Sequence, residues 1–223
     1  MKLSDLCSYR NIVIQCHDNP DPDAIASGFA LYQAFASDKR RKVRLVYAGQ
    51  YIIQKLNILM MLERLEIPLV HVDELHTTPD LLITVDCQYG EGNVTRLPAK
   101  RIAVIDHHPL GPGKFDYSEI RSAYGSCSSL VYQLLRDYGL DANDDSKVAT
   151  ALYYGLYSDT NSLSEIVHPA DMDLRDDLMY NKSILTSLRN ANLSASDITI
   201  AGEALSMAVF DVKHRIGIAE AKP

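Results

Sequence analysis

The sequence predicts an α/β fold built on a mostly parallel sheet with helices on both faces. Two observations carry this prediction. Short runs that are apolar throughout recur along the first half of the chain, for example at residues 81–86, and they alternate with longer stretches of helical periodicity. Strands covered on both faces have such continuous apolar sequences, and alternation of strands with helices is typical of parallel sheets.

The predicted elements follow one another in a regular order. The first apolar run leads through a turn rich in Asp and Pro, residues 18–22, into a helical stretch. Strands are predicted at residues 11–17, 43–48, 68–72, 81–86 and 101–106. Helices are predicted at residues 23–35, 52–65, 128–138 and 146–157. The chain shows neither a fixed-period repeat nor a low-complexity segment.

The pattern changes beyond residue 168. Residues 171–189 form a charged helical stretch, and residues 194–207 predict a further helix with Ser194 as its N-cap. Residues 209–211 and 215–219 predict a hairpin. A two-stranded ribbon is only marginally stable unless it packs on something else. We therefore expect this part to be the beginning of a second lobe.

Length and composition restrict the class of protein. The chain has 223 residues, of which 47% are hydrophobic and 23% charged, as in a globular protein with a substantial core. No run approaches the roughly 18–20 apolar residues that a membrane span needs, and the first residues lack the apolar core of a signal peptide. We expect a cytoplasmic protein that has no membrane partner.

Cysteine spacing and net charge narrow the partners further. Cys7, Cys16, Cys87 and Cys127 show no Cys-x-x-Cys spacing, which favours free thiols over disulfides or a zinc cluster. The net charge of −7 disfavours binding of long duplex nucleic acid, which needs a basic surface. A small anionic substrate stays compatible with this charge, because bound cations can invert the local field.

Acidic residues and histidines follow several of the predicted strands. Ligands of open α/β sheets bind beyond the carboxyl ends of the strands, so these side chains are candidates for a binding site. They are His17, Asp21, Asp23, Asp86, Asp106, His107, His108 and, after the helix at 146–157, Asp159. Each has an ordinary alternative, since Asp23 can cap a helix, Asp86 and Asp159 can occupy turns, and a histidine can be merely hydrogen-bonded.

Together these residues predict a metal site. Several carboxylates that converge at one sheet edge repel each other unless cations neutralise them. Carboxylates mixed with imidazoles suit Mn²⁺ or similar divalent ions. Two such ions about 3.5–4 Å apart can activate a water, orient a phosphoryl group and stabilise its leaving oxygen. Asp86 is the candidate for the ligand shared by both ions, because a side chain at the end of a central strand can face both.

Four motifs in the same order resemble those of the DHH phosphoesterase superfamily. They are His17-x-x-x-Asp21-x-Asp23, Val85-Asp86, Asp106-His107-His108 and Ser158-Asp159-Thr160. The resemblance covers residues 11–161, and the Gly-Ser-Cys-Ser segment at 125–128 stands where that superfamily has a comparable turn. The wording of the first motif is most similar to the oligoribonuclease and pAp-phosphatase branch.

The resemblance implies a role for each motif residue. It assigns His17 and Asp21 to one ion, Asp23, His107 and Asp159 to the other, and Asp86 to both. It also implies that Asp106 orients a neighbouring imidazole and that His108 meets the phosphoryl oxygen or leaving group, which makes these two the catalytic pair. The cofactors implied are two divalent ions, Mn²⁺ in the first place and Mg²⁺ or Co²⁺ as alternatives.

The resemblance also implies a domain division. Members of the superfamily carry a second, smaller domain with a glycine-rich segment, and this sequence has nothing that matches it. We expect residues 1–168 to form the catalytic metal-binding domain, 169–193 a helical linker, and 194–223 the start of a truncated second domain.

The function that follows is metal-dependent hydrolysis of short oligonucleotides, pAp-like nucleotides or dinucleotides. Inorganic pyrophosphatase activity and a non-catalytic metal- or nucleotide-binding module are the alternatives. A phosphatase of the haloacid-dehalogenase type ranks lower, because His17 and the Asp-His-His motif have no place in that mechanism. The expected partner is a small nucleotide or short oligonucleotide. A homodimer formed by strand addition at the terminal hairpin is a further expectation.

Overall fold

A computed structural model describes residues 1–191 and 195–220 of the chain, so Ser194, the expected N-cap, lies outside the described residues. The main sheet has six strands in the order β3-β2-β1-β4-β5-β6, and all of its neighbouring strands are parallel. Its strands are β1 Asn11–Gln15, β2 Lys42–Tyr47, β3 Leu69–His71, β4 Leu81–Val85, β5 Ile102–Asp106 and β6 Tyr117–Ile120. This confirms the predicted α/β fold with a mostly parallel sheet.

Helices follow the strands and then continue alone. They are α1 Pro22–Ala36, α2 Leu56–Arg64, α3 Cys127–Asp137, α4 Ser146–Asp159, α5 Pro169–Asp177, α6 Lys182–Asn190 and α7 Ala195–Ser206, with short 3₁₀ turns at Leu3–Leu6 and Ala142–Asp144. No helix in the described parts of the chain is both long enough and apolar enough to cross a membrane.

The two faces of the sheet are covered differently. Side chains alternate between the faces of a strand, so Ile12 and Ile14 enter the larger core, which contains residues of helices α1 to α6, and Val13 enters a smaller one. The smaller core joins Val13 and Leu82 to Leu97, which lies in the connection between β4 and β5. Among the residues of these two cores, helices cover one face of the sheet and connecting segments cover the other. This corrects the predicted placement of helices on both faces.

Helix α1 lies at the centre of the larger core and packs closely on α4. The close approach depends on Gly155 of α4, because a Cβ atom at this position would lie 2.1 Å from Ser128 Oγ and 2.9 Å from Asp23 Oδ1. Both distances are shorter than van der Waals contact. The α1–α4 contact therefore holds the start of α1 and the start of α3 close to the same point of the sheet edge.

Strand β6 is an element that the sequence prediction missed. Its sequence, Tyr-Ser-Glu-Ile, is partly polar, and it forms the edge of the sheet beside β5. An edge strand lacks a neighbour on one side and need not be apolar throughout. Glu119 of this strand is buried and pairs with Arg121, at 2.7 Å between Oε1 and Nη2.

The helix predicted at residues 171–189 is wrong as a single element. It is divided into α5 and α6, because the chain is extended at Leu178 and Asn181 begins a new helix by accepting hydrogen bonds from the N–H groups of Ser183 and Ile184. The helix predicted from residue 52 starts later, at Leu56, since the N–H of Ile53 donates to the hydroxyl of Tyr47 instead.

The helices of the predicted linker pack on the preceding domain. Leu174 of α5 and Leu188 of α6 are fully buried members of the larger core. Further along, β7 Val209–Asp211 and β8 Ile216–Ile218 form a separate antiparallel pair whose residues are exposed, as predicted for the hairpin. The domain boundaries themselves stay a prediction.

Candidate metal centre

The candidate site lies at the carboxyl ends of three neighbouring strands. Strands β1, β4 and β5 are adjacent in the sheet, and His17, Asp86 and His107 follow their last residues within two positions. Two helices complete the site. Asp21 and Asp23 stand at the start of α1, and Asp159 is the last residue of α4.

Asp86 is the side chain at the middle of the site. Its Oδ1 lies 3.2 Å from Nε2 of His107 and 3.8 Å from Nδ1 of His108, and its Oδ2 lies 3.8 Å from Nε2 of His17. Asp86 is 2% exposed and has a left-handed backbone with φ of 58°. A non-glycine residue in this conformation is strained, and such strain is concentrated at functional sites.

Three sets of side chains offer ligand atoms that lie within 4.8 Å of one another. The sets are His17 with Asp21 and Asp86, Asp86 with His107 and His108, and Asp23 with His107 and Asp159. Asp86 and His107 each belong to two sets. The fold thus brings every metal ligand that the sequence analysis named to one edge of the sheet.

Unpaired buried atoms show that the residues present fit divalent cations. Asp86 Oδ1 and His107 Nε2 are buried, and although they lie 3.2 Å apart, neither makes a hydrogen bond of good geometry with any described residue. Leaving a buried polar atom unpaired costs free energy, so native structures rarely do it without a reason. Oxygen and imidazole nitrogen are the donors that Mn²⁺ and related ions accept. A cation at this position would give both atoms a partner.

Asp159 lies where its own helix does not stabilise a negative charge. Asp159 is the last residue of α4, where the helix dipole disfavours negative charge. Thr160 follows, and then the three residues from Asn161 to Leu163 all have positive φ angles. A carboxylate in this position gains little from its own helix. Its Oδ2 lies 3.2 Å from Nε2 of His107 instead.

Asp21 and Asp23 have different surroundings from those that the sequence suggested. Asp21, not Asp23, caps α1, since its Oδ1 accepts hydrogen bonds from the N–H groups of Asp23 and Ala24 at 2.9 and 3.0 Å. Asp23 is fully buried, and its two oxygens accept the N–H groups of Cys127 and Ser128 at 2.6 and 2.8 Å. These donors are the first residues of α3, so Asp23 ties α1 to the N-terminus of a second helix.

The carboxylates alter the protonation of the site strongly. Burial opposes the charged form of His107, but the carboxylates of Asp159 and Asp86, each 3.2 Å from its Nε2, outweigh burial and raise the pKa of His107 to about 12. Burial is the main reason that the pKa of Asp86 is raised to about 6. Without a metal, a proton on His107 therefore offsets part of the negative charge at the centre.

A second group of residues faces outward. Nδ1 of His108 donates to Oδ1 of Asp106 at 2.8 Å, which leaves Nε2 as the free ring nitrogen. The side chain of His108 is 55% exposed, whereas that of His107 is 12% exposed. We call Asp23, Asp86, His107 and Asp159 the inner cluster, and Asp106 with His108 the outer dyad.

Two supporting contacts were missed by sequence reasoning. Nδ1 of His107 faces the carbonyl of Tyr124 at 3.2 Å, so Asp106 orients His108 and not His107. The amide of Gln88 donates to Oδ2 of Asp106 at 2.8 Å. Neither residue had a visible signal, because one acts through its backbone and the other is a single glutamine in a loop.

Comparison with known proteins identifies the family. The model of the DHH family, N-terminal domain, matches residues 11–156, which include most of the site. The chain belongs to the DHH family. The DHH proteins form a superfamily of phosphoesterases that use divalent metals. The Asp-His-His motif of this chain is Asp106-His107-His108.

Similar proteins extend beyond the length of this DHH chain. An uncharacterized protein of Methanocaldococcus jannaschii, MJ1633, is 28% identical over 197 residues, which are 87% of this chain and 40% of that protein. An A-adding tRNA nucleotidyltransferase of Aquifex aeolicus is 34% identical over 83 residues, 37% of this chain and 10% of that enzyme. The chain thus spans less than half the length of these two relatives.

A solved structure shows the same fold. An exopolyphosphatase-related protein from Bacteroides fragilis superposes with a TM-score of 0.78 at 18% sequence identity, over 97% of this chain and 67% of that protein. The similarity of fold extends past the region that the family model matches and includes most of the described residues.

Proposed function

We propose that this DHH protein hydrolyses short oligonucleotides, pAp-like nucleotides or dinucleotides with the help of two divalent ions, Mn²⁺ in the first place. One observation carries the proposal. The buried Asp86 Oδ1 and His107 Nε2 make no hydrogen bond of good geometry with any described residue, although each residue belongs to two of the three sets of ligand atoms. Such an arrangement is unfavourable without cations.

The side chains divide between two ion positions. His17 and Asp21 would hold one ion, Asp23, His107 and Asp159 the other, and Asp86 would contact both. The ions, when bound, supply positive charge to the phosphoryl oxygens and lower the pKa of a water. Asp23 also keeps two backbone N–H donors, so its position is set by α3 whether or not a cation is bound.

The outer dyad would act on the substrate directly. His108 is half exposed beside the buried ligands, and Asp106 holds its Nδ1, so Nε2 is the nitrogen that can meet the phosphoryl group. A histidine in this position can donate a proton to the leaving oxygen as the P–O bond breaks. Asp106 favours that role because its carboxylate stabilises the protonated ring.

The size of the adjoining cavity supports a small substrate. A cavity of about 410 Å³ opens beside His108 and is lined by Gln88, Asn93 and Pro109 among others. This volume falls within the range of small-molecule sites. The preference for nucleotides is supported by the resemblance of the first motif to the oligoribonuclease and pAp-phosphatase branch.

Phosphoanhydride hydrolysis is the second candidate. The same ligands would serve an anhydride, and the Bacteroides protein with the similar fold is described as exopolyphosphatase-related. A binding module without catalysis is the third. Nucleotide hydrolysis, phosphoanhydride hydrolysis and binding without catalysis predict different results for the same sample of purified protein.

The test measures melting temperature and hydrolysis together. Mn²⁺ added at about 100 times its Kd should stabilise the protein by about 2.7 kcal/mol and start hydrolysis of the dinucleotide pApA. Hydrolysis of pyrophosphate alone would favour the anhydride reading, and stabilisation without hydrolysis would favour the binding module. If Mn²⁺ changes neither quantity, the assignment of the metal site is wrong.

A further inference from the structure

Gln88 is a buried neutral side chain whose amide makes three hydrogen bonds beside the candidate site. It lies two residues after Asp86 in the connection that follows β4, and it is 4% exposed. Its Nε2 donates to Oδ2 of Asp106 at 2.8 Å and to the carbonyl of Pro109 at 2.9 Å, and its Oε1 accepts the N–H of Gly111 at 2.8 Å. One buried amide therefore connects the segment after β4 to the segment after β5.

The chemistry of these three partners admits only an amide in one orientation. Two of them, a carboxylate and a carbonyl, can only accept, and the third, a backbone N–H, can only donate. A rotated amide would oppose like groups at all three contacts. A glutamate would place a second carboxylate against Asp106, and an apolar residue would leave the buried Asp106 oxygen and two partly buried backbone groups without these partners.

The contact with Asp106 decides where the outer dyad points. Because Gln88 engages Oδ2, the other oxygen, Oδ1, is the one that receives Nδ1 of His108. The contacts with Pro109 and Gly111 hold the segment that directly follows His108 in the chain. Gln88 thus restrains the outer dyad both through its carboxylate and through its backbone.

We infer that Gln88 is a positioning residue, which holds Asp106 so that the free nitrogen of His108 is directed at the leaving group of the substrate. The inference rests on the proposed hydrolysis. Asp106, the carboxylate that Gln88 contacts, belongs to none of the three sets of ligand atoms, so the contribution of Gln88 should be separable from metal binding. It also lines the cavity of about 410 Å³ together with Asp106 and His108.

The first experiment compares Gln88→Met and Gln88→Glu with a matched control, Gln33→Met. Gln33 of α1 also donates its Nε2 to an aspartate, Asp145, at 3.4 Å, but lies outside the site. Two substrates are used, pApA with an alkoxide leaving group and thymidine 5′-p-nitrophenyl phosphate with a phenolate. Mn²⁺ affinity is measured for every variant by calorimetry.

Loss of positioning should depend on the leaving group. In the Gln88 variants kcat for pApA should fall about 10–100-fold, with a smaller loss for the nitrophenyl ester and with KM and Mn²⁺ affinity little changed. The phenolate needs less protonation as it leaves, whereas the alkoxide needs more. Equal losses on both substrates, or a loss that follows Mn²⁺ affinity, would overturn the inference, and Gln33→Met should resemble the wild type.

A second measurement does not depend on activity. In the Mg²⁺-loaded protein, the proton that His108 donates to Asp106 should give a downfield ¹H resonance, assigned by its absence in His108→Ala. It should disappear in Gln88→Met and persist in Gln33→Met. Its persistence in both Gln88 variants would refute the positioning role. If the wild type cleaves neither substrate but the resonance behaves as expected, the proposed function fails, and with it the direction of His108 at a leaving group, whereas the restraint of Asp106 and His108 by Gln88 stands.

Discussion

His107 and His108 are neighbours in the chain but belong to two different environments. His107 is directed into the inner cluster, between Asp86 and Asp159, and its free nitrogen is buried. His108 belongs to the outer dyad, with its ring half exposed and one nitrogen held by Asp106. Both residues follow β5, and their ring centroids lie 4.5 Å apart, so one strand end places a candidate ligand for cations beside a candidate group for the substrate.

The difference in burial and partners would suit the two histidines to separate tasks. At the inner cluster, burial and several carboxylates create a site that needs positive charge. At the outer dyad, one carboxylate orients one imidazole and leaves its other nitrogen accessible. Substitutions in the two groups should therefore have effects of different kinds as well as of different size.

The largest effect is expected for Asp86→Ala. Removing the carboxylate that faces His17, His107 and His108 should release both ions, abolish the stabilisation by Mn²⁺ and reduce hydrolysis by about 10³-fold or more. Calorimetric titration with Mn²⁺ and an activity assay measure the two effects. Normal Mn²⁺ binding by this variant would contradict the central place of Asp86.

His108→Ala should have a smaller and more selective effect. The inner cluster keeps all of its ligands, so Mn²⁺ should still raise the melting temperature as in the wild type. Hydrolysis of pApA should fall about 10²-fold, because a general acid is lost. If activity falls further than in Asp86→Ala, the assignment of the two groups must be exchanged.

Gly155→Ala tests the packing that supports the inner cluster from behind. The added Cβ would meet Ser128 and Asp23, so we expect a loss of about 1–3 kcal/mol in the free energy of unfolding. Gly202→Ala is the matched control, because Gly202 also lies in a helix and has no atom within 4 Å of the new Cβ. Urea denaturation of both variants should show destabilisation only at position 155.

The smallest effect concerns pH. In the metal-free protein the pKa of His107 is raised from 6.5 to about 12, so its contribution to stability is complete below pH 6.5 and is lost as pH rises towards 12. The pKa of Asp86 is raised from 3.8 to about 6, so stability also declines as pH rises through that interval. Both groups make the metal-free fold less stable at higher pH.

Metal binding should reverse this trend, since a cation displaces the proton of His107. The gain in melting temperature from Mn²⁺ should therefore be greater at about pH 8 than at about pH 6. Each kcal/mol of additional free energy of unfolding should raise the melting temperature by about 2–4 °C. Thermal unfolding with and without Mn²⁺ measures it. The difference between the two pH values should shrink in His107→Gln and persist in His108→Ala; a gain that does not depend on pH would contradict the competition between proton and metal.

Much of the architecture could be predicted from the sequence. The strands β1, β2, β4 and β5 have mostly apolar, buried centres because both faces of the sheet are covered, and that pattern is visible without a structure. Strand β6 escaped prediction because an edge strand can be polar. The break between α5 and α6 escaped because residues 178–181, which separate the two helices, contain neither glycine nor proline to mark it in the sequence.

The sequence by itself determined which residues could hold cations, because carboxylates and imidazoles after parallel strands must meet at the same sheet edge. Only the tertiary structure decided which neighbouring groups each of these carboxylates contacts. It placed Asp21 as the cap of α1, joined Asp23 to the start of α3, and gave Asp106 to His108 through Gln88. The cap and the His108–Asp106 contact join residues close in the chain, but the contacts of Asp23 and Gln88 join distant segments, which no local pattern of residues encodes.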